Sequence, residues 1–158
     1  MLTADDHVRL TLALLSLKGV GPVTARALAS RTERLPAHYV DLAEYLTNLD
    51  GKPRGFTAVT ANALEHGFRV ADQGIERCRD QGIGIAIEQS SPFWSALWSI
   101  PKPPAVLYYK GNATAAAVPG VAVIGTREPT DFGYKSGERI AKRCCERASA
   151  VVSGLAVG

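Results

Sequence analysis

The sequence predicts an α/β chain: a small all-helical part first, then the opening strands and helix of a parallel sheet. Three observations carry this expectation. Up to residue 82, apolar side chains recur at helical spacing between cap and breaker signals. From Ile83 onward, short runs of branched apolar residues appear, and the last of them are ordered strand, helix, strand. The composition of the 158 residues, 46% apolar and 21% charged, is that of a globular chain able to bury a core. The expected division is a helical domain over 1–82, a connecting strand–helix–strand region over 83–120, and the start of the parallel α/β domain over 121–158.

The elements follow in order. Thr3 caps a helix whose first turn carries Asp5 and Asp6, well placed for the positive end of the helix dipole. Its apolar residues run from Val8 through Leu10 and Leu14 to Leu17, and Gly19-Val20-Gly21-Pro22 ends it. Pro22 suits the first turn of a second helix. Pro36 to Leu46 reads as a third, and Thr57–His66 and Phe68–Gln81 as two more, broken or joined at Gly67. Ile83–Glu88 is a short strand. "SPFWSALW" starts a helix with Trp94, Leu97 and Trp98 on one side. Those tryptophans suit either stacking on bases or burial against a sheet, and burial is the simpler account. Ala105–Tyr109 is the next strand, with one of Tyr108 and Tyr109 facing a core. Ala113–Gly120 is a small-residue linker. Strands over Val121–Ile124 and Ala150–Ser153 flank a helix over Asp131–Ala148. Two strands and one helix do not cover both faces of a parallel sheet, so the sequence predicts that the chain stops in mid-domain at Gly158.

The formal charge of +3 is modest, but it is unevenly spread. Residues 1–88 carry ten Lys/Arg and eleven Asp/Glu, against eight and four in residues 89–158. Cys78, Cys144 and Cys145 lack metal-ligand spacing, and His7, His38 and His66 have no partner motif, so no metal site and no cofactor are expected. Cys144 and Cys145 read as buried small hydrophobes, and reduced thiols fit a cytoplasmic setting. The acidic start does not resemble a signal peptide. No apolar run approaches the length of a membrane span, about 20 residues. Paired acids and nucleophile–base pairs are absent, so the sequence offers nothing for catalysis.

The turn after Val121–Ile124 is the strongest candidate site. Open parallel sheets bind ligands at the carboxyl ends of their strands. There Gly125 permits close backbone approach, Thr126 adds a hydroxyl, and Arg127 adds a planar fork that matches two phosphate oxygens. Gly133 opens the following helix, whose free amides and dipole can face the same anion. The alternative is that Arg127 simply pairs with Glu128 or Asp131. Lys135, Arg139, Lys142, Arg143 and Arg147 follow on that helix, the last three where cations favour a helix C-terminus anyway, so most of them read as structural. Ser153-Gly154 ends the neighbouring strand and should lie beside the turn. Neither G-x-G-x-x-G nor a P-loop is present. In the first part, Lys18, Gly19, Gly21 and Thr24 form a Gly-Val-Gly hairpin. It can hold one DNA phosphate or serve only as a tight helix connector.

"VAVIGTREPTDFGYKSGERIAKR" followed by "VVSGLAVG" resembles the DNA-processing protein A family (DprA, also called Smf). "IPKPPAVLYYKGN" is similar to that family's approach to its Rossmann-like domain, and "LKGVGPVTARAL" to its small helix-hairpin-helix (SAM-like) domain. Thr126 stands where serine is usual, and "SPFWSALW" lacks a common Tyr-Pro pair. The resemblance implies a non-enzymatic, cytoplasmic protein, a homodimer at full length. It would bind single-stranded DNA, protect incoming strands in natural transformation and help load the RecA recombinase. Gly125, Thr126 and Arg127 would make the main phosphate contact, with Phe132, Gly133, Lys135, Ser153 and Gly154 alongside. The alternative is a Rossmann-like enzyme or sensor that holds a free nucleotide in the same crevice, as nucleotide phosphoribohydrolases do.

Overall fold

The computed structural model describes residues 2–53, 56, 58–88, 90, 95–147 and 149–154. The chain forms two compact units, residues 1–111 and 112–158.

The first unit begins with α1 (Ala4–Leu15), opened by a capping box. The Thr3 hydroxyl accepts the Asp6 amide at 3.1 Å, and the Asp6 carboxylate accepts the Thr3 amide at 3.0 Å. Three further helices follow: α2 (Pro22–Arg31), α3 (Tyr39–Asn48) and α4 (Ala61–Asp80). Their facing stripes bury Leu10, Leu14, Leu28, Leu42, Leu46, Leu64 and Phe68 in one core. Burying each such side chain contributes about 1.5–3 kcal/mol. Tyr39 at the start of α3 lies against the Phe68 ring, centroids 5.5 Å apart.

Gly67 does not break α4. A Cβ at that position would stand 2.8 Å from the Ala13 carbonyl oxygen and 2.9 Å from Ser16 Oγ. The glycine therefore lets α4 pack closely against the end of α1. A second tie crosses the same pair of helices: Arg9 Nε and Nη2 donate to the two Asp72 oxygens at 2.5 and 2.7 Å. The guanidinium also lies 4.8 Å from the Phe68 ring centroid. The Arg9 fork holds the Asp72 carboxyl below its ordinary value, against partial desolvation. A carboxyl whose folded value is depressed adds stability that is fully present above about pH 4 and fades as pH falls through the lowered value. Asp72→Asn is expected to lower stability at neutral pH by at most about 1 kcal/mol, because the pair is partly exposed. It should also flatten the loss between pH 4 and pH 2, measured by denaturant melts across that range.

Past α4, β1 (Ile83–Ala86) and β2 (Leu107–Lys110) pair antiparallel, from Ile83 opposite Lys110 to Ala86 opposite Leu107. Gly84 faces Tyr109, whose ring occupies the space a Cβ would need. Tyr109 is thus the inward member of the tyrosine pair, and Tyr108 is exposed. Arg26 of α2 pairs with Glu88 just beyond β1 at 2.6 Å. The short α5 (Ser95–Trp98) buries Trp98, as expected of a core aromatic. Phe93, Trp94, the Ser-Pro start of that helix, and Thr57 lie outside the described residues. No helix among the described residues is long and apolar enough to cross a membrane.

The second unit opens with a 3-10 turn over Ala113–Ala117, where the sequence suggests a linker. The Asn112 side chain accepts the Thr114 amide at 3.0 Å and nucleates the turn. Then come β3 (Gly120–Ala122), α6 (Asp131–Glu146) and β4 (Ala150–Val152). The two strands are parallel, with Gly120, Val121 and Ala122 opposite Ala150, Val151 and Val152. Both are shorter than their apolar runs suggest, although Val123 still donates its amide to the Val152 carbonyl at 2.8 Å. One helix over a two-stranded pair shelters little, and none of this unit's described residues is buried. The expectation that Cys144 and Cys145 are buried is corrected here: Cys144 is half-buried and Cys145 exposed.

Candidate functional site

The parallel register decides what meets at the strand ends. Because Val123 remains bonded to Val152, the Gly125-Thr126-Arg127 turn leaves the sheet at the edge where Ser153-Gly154 leaves β4. The sequence separates these two segments by a whole helix, and the pairing of β3 with β4 brings them to one edge. Leu155 to Gly158, the rest of the "SGLAVG" run, lie outside the described residues.

Local hydrogen bonds shape the turn. Thr126 Oγ1 accepts the Glu128 amide at 3.3 Å, which curls the chain at Arg127. Its hydroxyl hydrogen stays available as a donor. Arg127 is exposed and makes no hydrogen bond or ion pair among the described residues. The alternative in which Glu128 or Asp131 locks the guanidinium is therefore not what the turn adopts.

Thr130 caps α6, its Oγ1 accepting the Gly133 amide at 3.2 Å. Of the amides at this helix start, that of Gly133 serves the cap. The signal was in the sequence: a threonine directly before an acidic first turn. The amides of Asp131 and Phe132 make no hydrogen bond among the described residues and are the open donors of this helix start. Asp131 already supplies negative charge to the dipole there. Attraction for an added anion must therefore come from Arg127 and Lys135.

Phe132 is 79% exposed, and the exposed Lys135 follows three residues later on the same helix side. An uncovered ring beside an ammonium suits a nucleobase and its phosphate together. Ser153 and Gly154 are also exposed.

The hairpin of the first unit has a different construction. Gly19 adopts φ +81°, a left-handed conformation that favours glycine. Leu17 and Val20 on either side of the turn are buried, which anchors it. Gly21 caps α2 and its carbonyl accepts the Ala25 amide at 2.9 Å. The amides of Val23 and Thr24 are left without a partner among the described residues. Lys18, Gly19 and Gly21 are exposed and Thr24 half-buried. The hairpin is a core-anchored connector that also presents two donors.

A family model described as DNA recombination-mediator protein A matches residues 85–158. Over 159 residues the chain is 30% identical to protein Smf of Synechocystis, a match covering 98% of this chain and 39% of that protein. Over 104 residues it is 36% identical to DNA processing protein DprA of Bacillus subtilis, covering 64% of this chain and 34% of that one. The chain spans between a third and two fifths of the length of these relatives.

Proposed function

The chain belongs to the DNA recombination-mediator protein A family, also called DprA or Smf, and on that premise we propose that it binds single-stranded DNA through the sugar–phosphate backbone. The observation that carries this reading is an exposed Arg127, without a hydrogen bond or ion pair among the described residues, at the edge shared by two parallel strand ends. The start of α6, with its open amides and uncovered Phe132, follows four residues after it in the chain.

Each part has a distinct role. Arg127 grips phosphate with its fork, and Lys135 adds a point charge. Thr126, Ser153 and the Gly125 and Gly154 backbone close around the same oxygens, while Phe132 takes a base on its face. Gly133 lets the first turn of α6 close under the Thr130 cap. The hairpin of Lys18, Gly19, Gly21 and Thr24 makes a secondary backbone contact. None of these groups reads base edges, so binding is sequence-tolerant. The work done is binding rather than catalysis, in the cytoplasm: shielding an incoming strand during natural transformation and presenting it to the RecA recombinase, as a homodimer.

Titration of an oligo-dT strand across a salt series, with AMP as the competing ligand in calorimetry, tests this. The expected result is oligonucleotide binding whose log affinity falls linearly with log salt, by about 0.7 per phosphate contacted. Tight AMP binding with no oligonucleotide binding would instead assign the crevice to a free nucleotide.

A further inference from the structure

The second half of α6 carries a charge arrangement that a single phosphate site does not use. Lys135, Arg139, Arg143 and Arg147 follow one another at four-residue steps, so they form one stripe along the helix, its positions about 6 Å apart. Glu138, Lys142 and Glu146 form a separate stripe of alternating sign. Asp131 heads the cationic row, four residues before Lys135, and Glu138 and Glu146 stand three residues after Lys135 and Arg143, yet none of these acids forms an ion pair with the row among the described residues. No ion pair relieves any of the four cations among the described residues.

Like charges at this spacing repel. The helix dipole favours cations only in the last turn, which accounts for Arg147 and Arg143 but not for Lys135 in the second turn or Arg139 in the middle. The structure adds a second feature. Arg139, Arg143 and Arg147 line an open cavity of about 460 Å³ whose other walls include Val121, Ile140 and Cys144. A cationic rim over an apolar floor fits a chain of phosphates carrying flat bases, and it fits a small neutral molecule poorly.

Resting on the function proposed above, we infer that α6 is a phosphate track. A single strand held at Arg127 continues past Lys135 along the arginine row, and one of its nucleotides sits in the cavity beside Cys144. No ion pair neutralises the row among the described residues, and the polynucleotide supplies the negative charge.

Two measurements on the protein test the track. The triple variant Arg139→Gln, Arg143→Gln, Arg147→Gln removes up to three phosphate contacts. It should lower the slope of log affinity against log salt by about 2 and weaken binding of a long oligo-dT roughly tenfold or more at low salt. Oligo-dT of about four nucleotides should bind it as before, since it fits on the Arg127 end alone. In the unsubstituted protein, bound oligo-dT should slow maleimide labelling of half-buried Cys144 severalfold, while exposed Cys145 labels at its free rate. The track is overturned if the slope is unchanged and both cysteines label as in the free protein. If that happens while Arg127→Ala still weakens binding tenfold or more, only the track is lost. Should Arg127→Ala also bind normally, the underlying function falls as well.

Discussion

Replacing Arg127 by alanine is expected to weaken oligo-dT binding by roughly ten- to a hundredfold while leaving the melting temperature unchanged. The first half follows from the chemistry of the pair. A hydrogen bond to a charged group contributes about 1.5–3 kcal/mol, and each 1.4 kcal/mol is about a factor of ten in affinity. The second half follows from the structure: Arg127 is exposed and has no protein partner to lose among the described residues. Arg127→Lys should fall between the two, since the charge stays but the planar fork is gone. The salt slope should drop by about 0.7 for each contact removed. Filter binding or fluorescence anisotropy at three or more salt concentrations checks all of this together. Full affinity in the alanine variant would show that the strand ends are not the binding edge.

The largest stability effect is expected in the other unit, at Gly67. Two opposed terms act when a side chain is added there. Replacing a mid-helix glycine by alanine favours the helix by about 0.8–1 kcal/mol. Against this, the new Cβ would lie 2.8 Å from the backbone oxygen of Ala13, and α1 and α4 would have to move apart. Overpacking of this kind costs about 1–3 kcal/mol. Alanine should therefore come out neutral to destabilising. Valine, which adds bulk and gains little helix propensity, should lose about 1–3 kcal/mol net. For a unit of this size each kcal/mol lowers the melting temperature by roughly 4–8 °C.

Gly74, on the same helix, is the internal control, because a Cβ there meets nothing within 4 Å. Gly74→Ala should stabilise by about 0.5–1 kcal/mol. Equal responses at the two glycines in thermal melts would refute the close approach of α1 and α4. The Arg9–Asp72 tie spans the same helix pair. Combining Asp72→Asn with Gly67→Val should thus cost something other than the sum of the two, since neighbouring substitutions couple.

Several features were legible because their partners lie within a few residues. The Thr3 cap and the acidic first turn of α1 are local hydrogen bonds and local charge, and they stand as expected. Pro22 at the start of α2 is likewise local. The strand–helix–strand order near the C-terminus was visible from apolar runs, and the parallel pairing of β3 with β4 agrees with it. The Gly-Thr-Arg turn could be singled out from glycine, hydroxyl and guanidinium chemistry alone.

Other features turned on what stands opposite. Gly67 could end a helix or admit a neighbour, and only the Ala13 carbonyl, over fifty residues away in sequence, decides between them. The freedom of Arg127 depends on how the turn curls, and that is set when Thr126 takes the Glu128 amide. The start of α6 was expected to offer free amides, and the Thr130 cap takes that of Gly133 while those of Asp131 and Phe132 stay open among the described residues. Cys144 and Cys145 were read as core because small thiols usually are, but one helix above two short strands leaves Cys144 half-buried and Cys145 exposed.

By itself, then, the sequence determined that Thr3 caps α1 and Pro22 starts α2, which residues are apolar stripes, and which turn holds glycine, hydroxyl and guanidinium together. Those depend on backbone sterics, caps and periodicity within one or two turns of chain. The tertiary structure alone decided that Gly67 admits the Ala13 carbonyl rather than ending a helix, that Cys145 stays exposed, and that the α6 arginines line a cavity. Each of these depends on which segments distant in sequence meet, and chain-local propensity holds no record of the meeting.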